Sequence, residues 1–188
     1  MSEFNDEPEP DTEPEPTAAP ERYGVPVVET GDMTVLFPPR EQLLDVVRAA
    51  HDDGYLVCLD VTAVDYLTFG RRGGPDGEVI VRPRVVPGQP AERFEVVYHL
   101  HRHQPSSDRL RLRVQVPAGD PAVPTLFEIH PGTEAAEREV YDMFGIEFSG
   151  HPDLTRILMP EDWIGHPLRK DYYSGRIPVQ FKDAPAAR

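Results

Sequence analysis

The most constraining feature of this chain is an apolar stretch without a regular period. From Gly150 to Tyr172 it reads GHPDLTRILMPEDWIGHPLRKDY, with neither helical spacing nor strand alternation. Long irregular segments in compact domains are usually functional or disordered. The large apolar side chains here are too many for simple disorder. They are Leu154, Ile157, Leu158, Met159, Trp163, Ile164 and Leu168. We call residues 150–172 the apolar segment, and it needs a surface to lie on.

A short charged helix is predicted just before the apolar segment, from Thr133 to Gly145. Thr133 can cap its N-terminus through the hydroxyl, and Gly145 can supply the left-handed backbone that closes it. Arg138 lies four residues from both Glu134 and Asp142, so weak ion pairs within the helix are expected.

Strands are predicted at 33–37, 94–103 and 109–116. In the last of these, arginines alternate with Leu and Val, so one face is buried and the other faces water. The continuous apolar run at 55–64 predicts a strand that is buried along its length. Turn residues fill 70–91 around one short strand at 78–82, and 104–108 has the length of a hairpin turn.

A helix is predicted after Pro38 and Pro39, with its end at Gly54. Its apolar stripe consists of Leu43, Leu44, Val46, Val47 and Ala50. Residues 121–129 are predicted to be helical as well. Together these elements predict an α+β two-layer domain, in which a mostly antiparallel or mixed sheet carries helices on one face.

The N-terminus differs in composition from the rest of the chain. Residues 1–22 hold eight acids, one base and five prolines, with almost no large apolar side chains. Such a segment cannot offset the entropy of ordering, so we expect it to be disordered and dispensable for folding. It lacks the basic start and apolar run of a signal peptide. We therefore divide the chain into a tail at 1–22, a domain at 23–149 and an extended docking region at 150–188.

The net charge of −14 argues against a nucleic-acid partner, because such binding depends on neutralising phosphates. Residues 151–188 carry +1, which either marks a docking surface or is a chance fluctuation. The one cysteine, Cys58, is interpreted as a buried and inert thiol. No apolar run approaches the roughly 20 residues that span a bilayer, so membrane association is expected only through partners.

Three histidines, His99, His101 and His103, share one face of a predicted strand. They could bind a divalent metal, but neighbours on that face lie about 7 Å apart, so we favour a solvated strand face. His151 and His166 each precede a proline. We interpret them as turn anchors that bond to backbone carbonyls, with a proton-carrier role as the alternative.

The carboxylates of the predicted helix at 133–145 could serve acid–base catalysis, as in a free-standing hydrolase or metal enzyme that uses Glu137, Glu139 and the histidines. An interface role is favoured instead, because the Arg, Met, Trp and Tyr side chains in this region are typical interface anchors. There is no G-x-G-x-x-G after a strand, no phosphate-binding loop, no H-E-x-x-H and no C-x-x-C. We therefore expect no cofactor and no independent activity.

The sequence resembles a known family over most of positions 33–183. The resemblance rests on ERE at 137–139, YDMFGI at 141–146, GHPDL-R-IL at 150–158 and MPEDW-GHPLRKDY at 159–172, with LDVTAVDYL at 59–67 and RFEVVYHL at 93–100 upstream. These stretches are similar to the C subunit of proton-translocating NADH–quinone oxidoreductase, respiratory complex I. Related modules of membrane-bound hydrogenase and formate-hydrogenlyase complexes are the close alternative.

The resemblance implies a structural subunit of the peripheral arm, at the cytoplasmic side of the cell membrane. The implied partners are the D subunit, which helps form the quinone site, and the iron–sulfur subunits B and I, which carry electrons from NADH to quinone. Twelve residues are expected to contact the partners, and Trp163, Arg156 and Arg169 are the main anchors among them. The full set is Glu137, Arg138, Glu139, Tyr141, Asp142, His151, Arg156, Trp163, His166, Arg169, Lys170 and Asp171. The domain is expected to close its sheet without the apolar segment.

Overall fold

In a computed structural model, the described residues are 20–31, 33–73, 79–81, 84–103 and 108–172. The predicted tail up to residue 19 and the chain after 172 lie outside them. Ten strands are present in the described part of the chain: β1 Glu21–Arg22, β2 Val25–Thr30, β3 Met33–Leu36, β4 Val57–Asp65, β5 Arg71–Gly73, β6 Val79–Val81, β7 Phe94–Arg102, β8 Asp108–Val116, β9 Ala122–Pro124 and β10 Glu147–Ser149. The helices are α1 Leu43–Asp52 and α2 Glu134–Phe144, each preceded by a 3-10 turn, Arg40–Gln42 and Pro131–Thr133.

A mixed six-stranded sheet in the order β1-β2-β3-β8-β7-β4 forms the centre of the fold. Neighbouring strands run antiparallel except β3 and β8, which are parallel. Both helices bury their apolar residues in one cluster against the same face of the sheet. The predicted α+β architecture is therefore confirmed, as are the strands at 33–37, 94–103 and 109–116 and the helix before Gly54.

The outermost strand, β4, is less buried than its sequence predicts. Val57 and Leu59 expose 46% and 53% of their surface, and full burial within the strand begins at Val61. This strand forms the edge of the sheet, and its register with β7 shifts between Cys58 and Asp60. The prediction of burial along the whole of 55–64 was wrong, because an edge strand has a neighbouring strand on one side only, so its side chains are less covered.

The prediction of helix at 121–129 was also wrong. Residues 122–124 form β9, which pairs in parallel with β10, and a turn follows at 127–129. Pro124 disfavours helix in the middle of this stretch because it lacks an N–H group. Along the chain β9 precedes α2 and β10 follows it, so residues 122–149 form a strand–helix–strand unit.

Two smaller predictions need adjustment. Glu21 and Arg22, which were assigned to the tail, pair with β2, so the ordered domain begins before residue 23. Residues 79–81 of the predicted short strand pair with β5, while 74–78 and 82–83 lie outside the described residues. Across the described part of the chain, no helix is long and apolar enough to cross a membrane.

Candidate docking segment and its anchors

The apolar segment is irregular, as predicted, but its backbone is fixed to the end of α2. The helix closes at Gly145, whose φ of 66° is left-handed. A Cβ there would lie 2.5 Å from Nε2 of His166 and 2.6 Å from a guanidinium nitrogen of Arg169. Gly145 is therefore required twice, once for its backbone angle and once so that the segment can pack against the helix end.

Asp142 holds the middle of the apolar segment, at residues 156–159. Its side chain is fully buried, and one carboxylate oxygen accepts the backbone N–H groups of Ile157, Leu158 and Met159 at 3.1, 2.8 and 2.8 Å. Its other oxygen lies 2.5 Å from Arg156. Burial alone would raise the pKa of Asp142, but the Met159 amide, the Arg156 guanidinium and the other two amides hold it below its usual value. Successive amides curved around one anion resemble a backbone nest.

The apolar segment also satisfies the backbone carbonyls at the C-terminal end of α2, which a free helix end leaves without partners. The carbonyl of Asp142 accepts from Arg156 and His166, and that of Met143 accepts from the Leu168 amide. Arg169 donates to the carbonyls of Phe144 and Gly145 at 2.5 and 3.1 Å. The guanidinium groups also meet the negative end of the helix dipole, which adds a favourable electrostatic interaction.

Arg138 and His151 fix the apolar segment to the side of α2. Arg138 pairs with Glu134 at 2.9 Å and also donates to the carbonyl of Thr155 at 3.1 Å. Nε2 of His151 donates to the carbonyl of Glu134 at 3.1 Å, while Nδ1 accepts the Asp153 amide. The predicted carbonyl-bonding roles of His151 and of His166 are therefore confirmed.

Asp65, at the end of β4, anchors the C-terminal end of the apolar segment. Its buried carboxylate accepts two bonds from Arg93 at 3.1 and 2.9 Å and the backbone N–H of Lys170 at 2.8 Å. Arg93 also pairs with Asp171 at 2.7 Å. The anchoring roles of Asp65 and Arg93 were not predicted from the sequence. A carboxylate at the end of an apolar strand, with an arginine just before the neighbouring strand, was the available signal.

Glu137 has a different environment from Asp142. It is fully buried and accepts hydrogen bonds from the hydroxyls of Thr125 and Thr133 and from the Leu126 amide. Burial raises its pKa despite these bonds. Thr133 occupies the cap position of α2, but its hydroxyl bonds to Glu137 rather than capping the helix, so the predicted cap was wrong. Glu139 is exposed on another face of α2, so the two glutamates do not form a catalytic pair.

With its backbone fixed, the apolar segment presents side chains on both sides. Leu154 and Met159 pack against the hydrophobic core. Five others remain exposed: Ile157, Leu158, Trp163, Ile164 and Leu168. A cluster of exposed apolar side chains on a fixed backbone is typical of a protein-interaction surface.

The twelve residues predicted for the interface differ in how many contacts they already make within the chain. Glu137 and Asp142 are buried, and the side chains of Arg138, His151, Arg156, His166, Arg169 and Asp171 bond within the chain. Tyr141 packs against the core, and Glu139, Trp163 and Lys170 are exposed. Partner contact by any of the twelve stays a prediction. Within the described residues, no group of three or more potential ligands could hold a metal ion, and this includes the histidines of β7.

The fold and segment define a class: a small α+β domain whose C-terminal extension is mounted on one helix end with its apolar side chains outward. The family described as "Respiratory-chain NADH dehydrogenase, 30 Kd subunit" matches residues 37–176. The chain belongs to this family.

Curated relatives are named as the C subunit of NADH-quinone oxidoreductase. The relative from Saccharopolyspora erythraea is 42% identical over 160 residues, which span 84% of this chain but only 55% of that protein. The chain thus spans about half the length of that relative. The relative from Geobacter sulfurreducens is also 42% identical, over 78% of this chain and 83% of its own length.

Two solved structures share the fold. A trypsin-resistant fragment (1-134) of Nqo5 superposes with a TM-score of 0.56 at 33% identity, covering 70% of this chain and 90% of the fragment. The membrane-bound sulfane sulfur reductase, an archaeal respiratory membrane complex, contains a chain with a TM-score of 0.54 at 23% identity, covering 78% and 75% of the two chains. The second similarity concerns the fold alone.

Proposed function

We propose that this chain is a cofactor-free docking and support subunit in the peripheral arm of a proton-translocating NADH–quinone oxidoreductase. Its partners hold the nucleotide, the iron–sulfur centres and the quinone, and this chain fixes their relative positions. The named relatives support this proposal, and so does the composition of the apolar segment. Support of this kind matters for catalysis by the partners, because misplacing reacting groups by about 1 Å can lower rates about a hundredfold.

The observation that carries the proposal is the combination of a fixed backbone with exposed apolar side chains. Asp142 holds the middle of the apolar segment and Asp65 holds its C-terminal end, so little backbone entropy remains to be lost when a partner binds. Ile164 is 91% exposed. Exposure of this apolar side chain to water is unfavourable, and that free energy is recovered when the side chain enters a partner's pocket.

We assign the contacts to the D subunit at the quinone site, with the iron–sulfur subunits B and I adjoining. The proposed location is the cytoplasmic side of the cell membrane, reached through these partners. The second candidate is the equivalent subunit of a membrane-bound hydrogenase or formate-hydrogenlyase complex, in which related modules occur. The partners that co-purify with the full chain distinguish the two, since NADH-oxidising subunits accompany only the first.

The test compares two exposed apolar residues. Ile164→Ala and Trp163→Ala are placed in the full chain in its host, and the amounts of partner subunits that co-purify are measured. Trp163→Ala is expected to weaken association by roughly 2 kcal/mol, about thirtyfold, if the indole fills a pocket. Val85→Ala is the control, because Val85 is 88% exposed outside the apolar segment. Wild-type recovery of partners with both segment variants would refute the docking role.

A further inference from the structure

The face of the sheet opposite the helices is unusually basic for this acidic chain. Along β8, Arg109, Arg111 and Arg113 point away from the core, while Leu110 and Leu112 are fully buried. The cross-strand partners of Arg111 are Val35 on β3 and His99 on β7. Burial lowers the pKa of His99, and Arg111 and Arg109 lower it further, while Asp60 opposes them.

Two of these arginines have no carboxylate partner in the described part of the chain. Arg113 pairs with the buried Glu95 at 2.8 Å, and Arg84 shares that carboxylate at 2.6 Å. Among the described residues, neither Arg109 nor Arg111 has an ion pair within 4.0 Å, and the buried Nε of Arg111 has no hydrogen-bond partner. Guanidinium groups without a carboxylate partner favour an added acceptor, so this face attracts acidic side chains.

A depression of about 340 Å³ lies beside these arginines, over β2, β3 and β8. Its lining includes four apolar side chains, Val28, Met33, Val35 and Phe37, and two guanidinium groups, from Arg111 and Arg113. The described residues contribute no carboxylate to this lining. The depression therefore fits an acidic peptide that also carries an apolar side chain.

The chain itself contains such a peptide. Residues 1–19 hold seven acids, no base and one aromatic residue, Phe4. They join the fold at Pro20, next to β1 at the edge of the sheet. Three strand spacings, about 14 Å, separate β1 from β8. Nineteen residues can extend over roughly 60 Å, so the depression is within reach.

We propose that the acidic N-terminal tail, residues 1–19, binds in cis across this basic face, with carboxylates at Arg109 and Arg111 and the Phe4 side chain in the depression. Covalent attachment gives the tail an effective concentration in roughly the millimolar range, so weak contacts suffice. The contact depends on salt, because the screening length falls from about 8 Å at 0.15 M to about 3 Å at 1 M.

Paramagnetic broadening on the isolated full chain tests the proposal. Ser2→Cys is combined with Cys58→Ser, because Cys58 is only partly buried, so that the nitroxide label is attached at residue 2 alone. We expect amides of β2, β3 and β8 to lose most of their intensity, and 1 M salt to restore it. Broadening centred on α1 and α2, or none beyond β1, would overturn the proposal.

Charge variants separate this contact from general attraction. Arg109→Glu and Arg111→Glu should each restore the amide intensities, whereas Arg48→Glu, an exposed change on α1, should not. If the β8 variants fail to fold, replacing the seven tail acids by their amides leaves the sheet untouched and should restore the same intensities. A sample that mixes labelled chains with isotope-enriched unlabelled chains must show no broadening. Broadening there would assign the contact to a second copy and refute binding in cis.

Discussion

At the residue scale, Asp142 and Glu137 show how two buried carboxylates on one helix acquire opposite properties. Asp142 has a guanidinium partner and three amide donors, and its pKa lies below the usual value. The donors to Glu137 are hydroxyls and an amide, and burial raises its pKa. The sequence placed both residues on the helix but could not distinguish them, because their partners come from segments distant along the chain.

Asp142→Asn should lower the free energy of unfolding by about 3 kcal/mol near neutral pH, because it removes the counter-ion of Arg156, whose side chain is only 15% exposed. A depressed pKa contributes stability above the unfolded value of about 4, and this contribution is lost as the pH falls through the folded pKa. Urea unfolding of both proteins from pH 7 to pH 3 measures the difference, which should shrink in acid. A difference that is independent of pH would contradict the assignment.

For Glu137→Gln, the difference in the free energy of unfolding from the wild type should change with pH in the opposite direction. A raised pKa contributes stability that is complete below the unfolded value of about 4 and is lost as the pH rises through the folded pKa. The neutral amide avoids that loss. The free energy of unfolding of the variant should therefore rise relative to that of the wild type between pH 4 and pH 8 in the same urea experiment. The exposed Glu139→Gln change on the same helix is the control and should follow the wild type throughout.

At the element scale, the C-terminal end of α2 and the apolar segment form one structural unit. Gly145 turns the chain, and Arg156, His166, Leu168 and Arg169 bond to the carbonyls from Asp142 to Gly145. The stop at Gly145 could be predicted because only a few residue types adopt left-handed backbone. The residues that bond to the helix-end carbonyls could not be predicted, because an irregular backbone has no period from which the path of the chain can be deduced.

Gly145→Ala should destabilise the protein by about 1–3 kcal/mol, because alanine is strained at this φ and its Cβ would displace His166 and Arg169. Gly119→Ala is a matched control, since a Cβ there meets no atom within 4 Å and the backbone angle is not left-handed. Thermal unfolding followed by circular dichroism compares the two. Equal midpoints would show that the segment is not packed on Gly145.

At the scale of the whole molecule, apolar periodicity predicted most of the sheet and α1, because a strand or helix that buries one face must repeat its apolar residues. Periodicity failed where topology decides the outcome. It missed the exposed first half of β4, which depends on the strand's place at the sheet edge, and β9, which depends on its pairing with β10. The ion pairs of Asp65 and Asp142 also needed the assembled structure.

Truncation after Ser149 should destabilise the domain, contrary to the expectation that the domain is complete without the apolar segment. The truncated chain keeps the strands but exposes four carbonyls at the end of α2 and leaves Asp142 without Arg156. We expect a lower urea midpoint and loss of helical signal before loss of strand signal. A truncated chain with a wild-type midpoint would show that the segment contributes only to docking.

The parallel pairing of β3 with β8 has a consequence for the rate of folding. It joins residues 33–36 to residues 109–112, so α1, β4 to β7 and the connection at 66–93 all lie within one long closed loop. Each doubling of loop length adds only about 0.6 kcal/mol of closure entropy, whereas non-local pairing slows folding strongly. Asp65 and Phe94 are direct cross-strand partners, so the connection begins and ends at one point of the sheet. Changes in its length should therefore alter refolding kinetics more than equilibrium stability.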